Sequence, residues 1–202
     1  MSKIGIMGGT FNPIHFAHLI LAESAYEELN LDKVFFMPSK NPPHKLNESI
    51  LSDEHRVRMI QLAIKDNPHF DLSCMELERD GITYTADTLE ELNKNYPHDE
   101  FYFIMGADSL FQIEDWWKTE QIFQLTHIVA ALRDHATRQE IINRINHLTD
   151  LFEARIHLLS TPNMDISSKM LRQNIKNGKT IRYYVPDLVI HYIKEHDLYR
   201  EA

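Results

Sequence analysis

Two glycines and two histidines fall close together near the amino end of the chain. The string reads Gly8-Gly9-Thr10-Phe11-Asn12-Pro13-Ile14-His15, then Phe16-Ala17-His18. Glycines without a Cβ let backbone N–H groups come close to a phosphate. A helix starting just beyond them points its positive end at the same place. Histidines three residues apart share a helix face and supply two more donors. These residue types in this order suit the handling of phosphate and chemistry at phosphorus. The same string argues against three other sites. No Gly-Lys-Ser/Thr follows, so it is not a Walker loop, and it is not Gly-x-Gly-x-x-Gly. Two histidines also fall short of a zinc site, with no obvious third ligand nearby.

Such residues need elements to hold them. Lys3–Met7 reads as a strand, Phe16 to about Leu29 as a helix ended by Asn30, and Lys33–Met37 as a second strand stopped by Pro38. This strand–helix–strand unit predicts parallel pairing. Pro38-Ser39-Lys40-Asn41-Pro42-Pro43-His44-Lys45 is too proline-rich for regular structure and reads as a loop. A helix from the Ser52 cap to about Lys65 follows, then a strand at Leu72–Met75, in which Cys74 reads as a buried, inert thiol. Further helices are expected at Thr85–Asn95, in short pieces through Trp117 and Phe123, at Arg138–Leu148, Ser168–Lys176 and Asp187–Glu195. Further strands are expected at Phe101–Met105, His127–Leu132 and Ile156–Leu159. The alternation predicts an α/β fold: a doubly wound, Rossmann-like, mostly parallel sheet with helices on both faces. Ligands of such sheets sit beyond the carboxyl ends of the strands.

The 202 residues carry a formal net charge of −9. That sign disfavours a nucleic-acid surface. No apolar run is long enough for a membrane span, and the first residues lack a signal-peptide pattern. One cysteine allows no internal disulfide, which fits a cytoplasmic setting. A homo-oligomer is left open.

The opening string resembles the signature of the nucleotidyltransferase superfamily of the His-x-Gly-His type. Ile166-Ser167-Ser168-Lys169-Met170-Leu171-Arg172 resembles the second signature of that superfamily. Between them lie Pro42-Pro43-His44-Lys45, Tyr84-Thr85-x-Asp87-Thr88, Gly106-Ala107-Asp108-Ser109 and Trp116-Trp117-Lys118. In that order they resemble the bacterial nicotinate mononucleotide adenylyltransferases over nearly the whole chain. The resemblance implies one nucleotidyltransferase domain, residues 1–202, with about 166–202 as its C-terminal helical part. It implies transfer of the AMP moiety of ATP to nicotinate mononucleotide in NAD biosynthesis, with Mg2+ held mainly by phosphates rather than by a protein cluster. ATP and nicotinate mononucleotide are then the partners, without nucleic acid or membrane.

The same resemblance suggests roles. His15, His18 and Arg172 are the catalytic candidates. Gly8, Gly9, Thr10, Phe11, Lys45, Gly106, Asp108, Arg133, Ile166, Ser167 and Ser168 would bind ATP or its phosphates. His44, Thr85, Trp117 and Lys118 would bind the acceptor mononucleotide. Three positions depart from the family pattern: Ala17 for Gly, Lys169 for Thr and Asn12 for a commoner Asp. Other transferases of the superfamily, acting on nicotinamide mononucleotide or phosphopantetheine, remain alternatives, as does a non-catalytic nucleotide-binding module. A relative of the class I synthetases is disfavoured by the acidic charge.

Overall fold

Side chains along the strands alternate between two separate apolar clusters, as a sheet buried on both faces requires. The computed structural model describes residues 1–42, 50–131, 137–162 and 164–200. His44, Lys45 and Arg133 lie outside these described residues. Six strands form one sheet: β1 (Lys3–Gly9), β2 (Lys33–Pro38), β3 (Phe70–Leu72), β4 (Glu100–Gly106), β5 (His127–Ala131) and β6 (Ile156–Leu159). Their order is β3-β2-β1-β4-β5-β6, and every pairing is parallel. Strand order reverses between β1 and β4, the switch point at which such sheets open a crevice.

Helices α1 (Phe16–Leu29), α2 (Asp53–Ile64), α7 (Ser168–Lys176) and α8 (Asp187–Glu195) cover one face. They bury Ala22, Met59, Ile60, Leu171 and Val189 against Met7, Phe36, Ile104 and Val129 of the sheet. Helices α3 (Thr85–Asn95), α4 (Ala107–Gln112), α5 (Thr119–Leu125) and α6 (Arg138–Phe152) cover the other. They bury Leu89, Leu110, Ile122 and Leu148 against Ile4, Ile6, Met105 and Ile128. The doubly wound α/β architecture expected from the sequence is therefore present. No helix of the described residues is long and apolar enough to cross a membrane.

Several boundaries differ from expectation. The third strand is Phe70–Leu72, not Leu72–Met75. The Ser73 N–H still bonds to the Phe36 carbonyl, but the chain then turns, with the N–H groups of Leu77 and Glu78 returning to the Cys74 carbonyl. Cys74 thus lies outside the strand and is only half-buried, although burial pushes its thiol pKa up. Trp117 sits in a turn after a short 3-10 turn at Ile113–Asp115, not in a helix. Helix α6 runs on to Phe152, ended by left-handed Glu153.

Opposite the switch-point crevice, the amino ends of β4, β5 and β6 gather Tyr102, His127 and His157. The His127 Nδ1 and His157 Nε2 are 3.0 Å apart. The His127 ring stacks on Tyr102 at 4.5 Å. Burial, helped by the charges of Arg155 and His157, pushes the His127 pKa down to about 4. His157 is lowered as well, again mainly by burial. In the unfolded chain both return to about 6.5. Between those values the unfolded chain binds more protons, so stability present above pH ~6.5 is lost as pH falls toward ~4. The urea midpoint should therefore drop over that window, and His127→Phe, which keeps a ring on Tyr102, should flatten the drop. An unchanged pH dependence in that variant would contradict the burial account.

Candidate active site

Strand β1 carries Gly8 and Gly9 to the switch point. The strand runs past its expected end at Met7 through both glycines, which pair with Met37 and Pro38 of β2. Neither glycine has a positive φ; the left-handed residue is Phe11, at φ 48°. The absent Cβ atoms serve close packing. A Cβ on Gly8 would lie 3.3 Å from the Phe103 ring, and one on Gly9 3.4 Å from the Phe11 ring.

Beyond the glycines the chain is held largely by side chains. The Arg172 Nη1 donates to the Asn12 carbonyl at 2.9 Å, and the Ser168 hydroxyl to the Pro13 carbonyl at 2.8 Å. The Arg56 Nη1 donates to the Thr10 carbonyl at 2.9 Å. The Asn12 side-chain oxygen accepts from the Tyr199 hydroxyl at 2.8 Å. Burial pushes the Tyr199 pKa far up, so its hydroxyl stays a donor. Sequence reasoning did not single out Arg56 or Tyr199. The available signal for Arg56 was its register on α2, in line with buried Met59, Ile60 and Ile64.

His15 is the residue just before α1, with extended backbone, and His18 lies in its first turn. The His15 N–H donates to the His18 Nδ1 at 3.2 Å. That bond leaves the ring proton of neutral His18 on Nε2, so His18 presents a donor at that atom. The two imidazoles stack 3.7 Å apart at 22°. The Phe11 ring meets His18 edge-on at 5.0 Å. His15 is buried and His18 half-buried.

A cavity of about 740 Å3 opens over the carboxyl ends of β1 and β4. Its lining includes Gly8, Gly9, Thr10, His15 and His18 from the β1 side, Gly106 from the end of β4 and Asp108 from the first turn of α4. Thr85, Trp117 and Lys118 also line it. Trp117 is 56% exposed, with its ring 5.7 Å from that of Tyr84, whereas Trp116 packs edge-on against Phe103. Lys118 pairs with Asp87 at 3.1 Å, a contact of partly exposed groups that adds little stability. Thr85 opens α3, whose cap position is Tyr84. Asp108 does not cap α4; Gly106 occupies that position.

Phe11, Ile166, Ser167, Ser168 and Arg172 are not among the lining residues. Ser167 caps α7 by accepting from the Met170 N–H at 3.2 Å. Of the departures from the family pattern, Ala17 lines the cavity, Lys169 is exposed and Asn12 is buried in the bonds above. Among the described residues no three His, Cys, Asp or Glu side chains are grouped to hold a metal ion.

A family model described as cytidylyltransferase-like matches residues 6–174. A protein of Lachnoclostridium phytofermentans named "Probable nicotinate-nucleotide adenylyltransferase" is 51% identical over 98% of this chain and 100% of its own. One of the same name from Carboxydothermus hydrogenoformans is 41% identical over 98% of each. Among solved structures, the nicotinic acid mononucleotide adenylyltransferase of Plasmodium falciparum complexed with NaAD matches with a TM-score of 0.81. It is 22% identical over 98% of each chain, which establishes the shared fold. Full-length identity to the curated relatives goes further: the chain belongs to the nicotinate-nucleotide adenylyltransferase family.

Proposed function

We infer that this chain joins nicotinate mononucleotide to the AMP moiety of ATP, giving nicotinate adenine dinucleotide and pyrophosphate. The observation that carries this reading is the His15–His18 pair, set at the switch point inside a cavity that also holds Trp117 and Thr85. A phosphate oxygen of the mononucleotide attacks the α-phosphorus of ATP. The new P–O bond forms as the bond to the β-phosphate oxygen breaks, and pyrophosphate leaves with that electron pair. The attacking oxygen is already ionised, so no base is needed, and catalysis is positioning and charge neutralisation.

His18 donates from Nε2 to the α-phosphate, and His15 supports it through the stacked ring and the backbone bond. Thr10 and the strand-end backbone form the phosphate end, and the start of α7, capped by Ser167 and tied to the loop by Ser168, backs it from outside the lining. Lys45 and Arg172 add positive charge there, while Asp108 takes the ribose and Arg133 the adenine side. At the acceptor end Trp117 stacks on the pyridine ring. Thr85 and the backbone beside Lys118 receive its carboxylate, and His44 is a further candidate for binding the mononucleotide.

An Mg2+ would enter with the triphosphate and be held mainly by phosphate oxygens; among the described residues Glu76, Asp108 and Asp115 line the cavity without grouping as a metal cluster. Such an ion neutralises phosphate charge. The whole chain then works as one nucleotidyltransferase domain, in the cytoplasm where ATP is consumed.

Pyrophosphate release from purified protein with ATP, Mg2+ and either mononucleotide tests the reading. The expected result is release with nicotinate mononucleotide, preferred over the amide by roughly tenfold or more, because the carboxylate gains charge-assisted bonds that the amide does not. No release with any mononucleotide would refute the enzyme reading, and preference for the amide would refute the specificity. In the same assay His18→Ala should lower kcat by about 10²–10³-fold, the scale of one lost transition-state donor. Full activity in that variant would place the chemistry elsewhere.

A further inference from the structure

Arg56 is fully buried, with 0% of its surface exposed, and is not among the lining residues of the cavity. Its guanidinium donates three ways: from Nη1 to the Thr10 carbonyl at 2.9 Å, from Nε to the Leu51 carbonyl at 3.2 Å, and from Nη2 to the Asp53 carboxylate. Helix packing does not call for a charge here. Met59, Ile60 and Ile64 already bury the α2 face, and taking a guanidinium out of water is costly. What the guanidinium does fix is a peptide plane. The Thr10–Phe11 peptide is trans, so its N–H points opposite to its carbonyl. With the Thr10 oxygen drawn onto Arg56, the Phe11 N–H faces away from it.

Phe11 is also the strained residue of the loop. It is buried and left-handed, a conformation that bulky L side chains seldom adopt. Such a conformation persists only where its surroundings over-determine it. The carbonyl immediately before Phe11 is held by Arg56, and Arg172 holds the Asn12 carbonyl one residue beyond it.

We propose that Arg56 is a positioning residue for adenylyl transfer: by holding the Thr10 carbonyl it keeps Phe11 left-handed, turns the Phe11 N–H toward the nucleotide phosphates and sets the Phe11 ring against His18. It touches no substrate. This rests on the adenylyltransferase reading above, which fails separately if the wild-type chain releases no pyrophosphate.

Arg56→Lys and Arg56→Met in the full chain test it, with kcat, KM and thermal midpoint measured on each. A misplaced loop should lower kcat per folded molecule by roughly tenfold to a hundredfold. The KM for nicotinate mononucleotide should stay close to wild type, since the acceptor end is untouched. Arg56→Lys should keep more kcat than Arg56→Met, because an ammonium restores one of the bonds but not the planar fork. A merely structural role would lower the thermal midpoint and leave kcat per folded molecule unchanged. Wild-type kcat in either folded variant overturns the proposal. A third measurement needs no variant. In wild-type protein 15N-labelled at phenylalanine, the Phe11 amide resonance should move on adding ATP with Mg2+, and an unmoved resonance overturns the proposal as well.

Discussion

Three backbone carbonyls at the end of the first strand, those of Thr10, Asn12 and Pro13, accept hydrogen bonds from side chains of two helices far away in sequence. A loop that leaves the middle of a parallel sheet cannot satisfy these groups by regular pairing, and leaving them buried without partners would cost about 1–3 kcal/mol each. Arg56 from α2, with Arg172 and Ser168 from α7, resolves this, and in doing so fixes where the loop goes. Tyr199, near the end of the described chain, adds a bond to the Asn12 side chain. The C-terminal helical part thereby becomes a brace for the amino-terminal motif.

The brace matters because the chemistry asks for donors in place before the substrates arrive. Transition-state charge on a transferring phosphoryl group is best met by groups that need no reorganisation. His18 is oriented by the His15 N–H on Nδ1, by the His15 ring stacked on it and by the Phe11 ring at its edge. Each of these depends on the path of the loop. The two glycines contribute by letting the Phe103 and Phe11 rings approach the strand. The cavity then joins this fixed end to a more exposed aromatic end at Tyr84 and Trp117.

Much of the architecture was legible in the residues. Helices α1 and α3 begin and end where the periodicity placed them, and Asn30 ends α1 in the left-handed conformation that asparagine tolerates. The third strand was misplaced because Met75, an apolar residue near a strand, packs on the core from a turn. Around the site, the histidine pair, Thr85, Trp117 and Lys118 were identified and do line one cavity. The second signature was read only for phosphate. Its Arg172 and Ser168 bond to the loop backbone, and no side-chain pattern announces a bond to a distant carbonyl. Arg56 was hidden for the same reason. Within Asp53-Glu54-His55-Arg56-Val57-Arg58 it looks like one of several charges on a solvated helix, yet Arg58 is exposed and Arg56 is not.

A crystal structure with nicotinate adenine dinucleotide bound tests the central claim most directly, namely that a preset loop and His18 meet the phosphates between the two nucleotides. The account predicts the dinucleotide phosphates within hydrogen-bond reach of the His18 Nε2 and the Phe11 N–H. It also predicts that the carbonyl bonds of Thr10, Asn12 and Pro13 persist and that Phe11 stays left-handed. Phosphates bound elsewhere in the cavity, or a loop that releases those carbonyls to receive them, would contradict it.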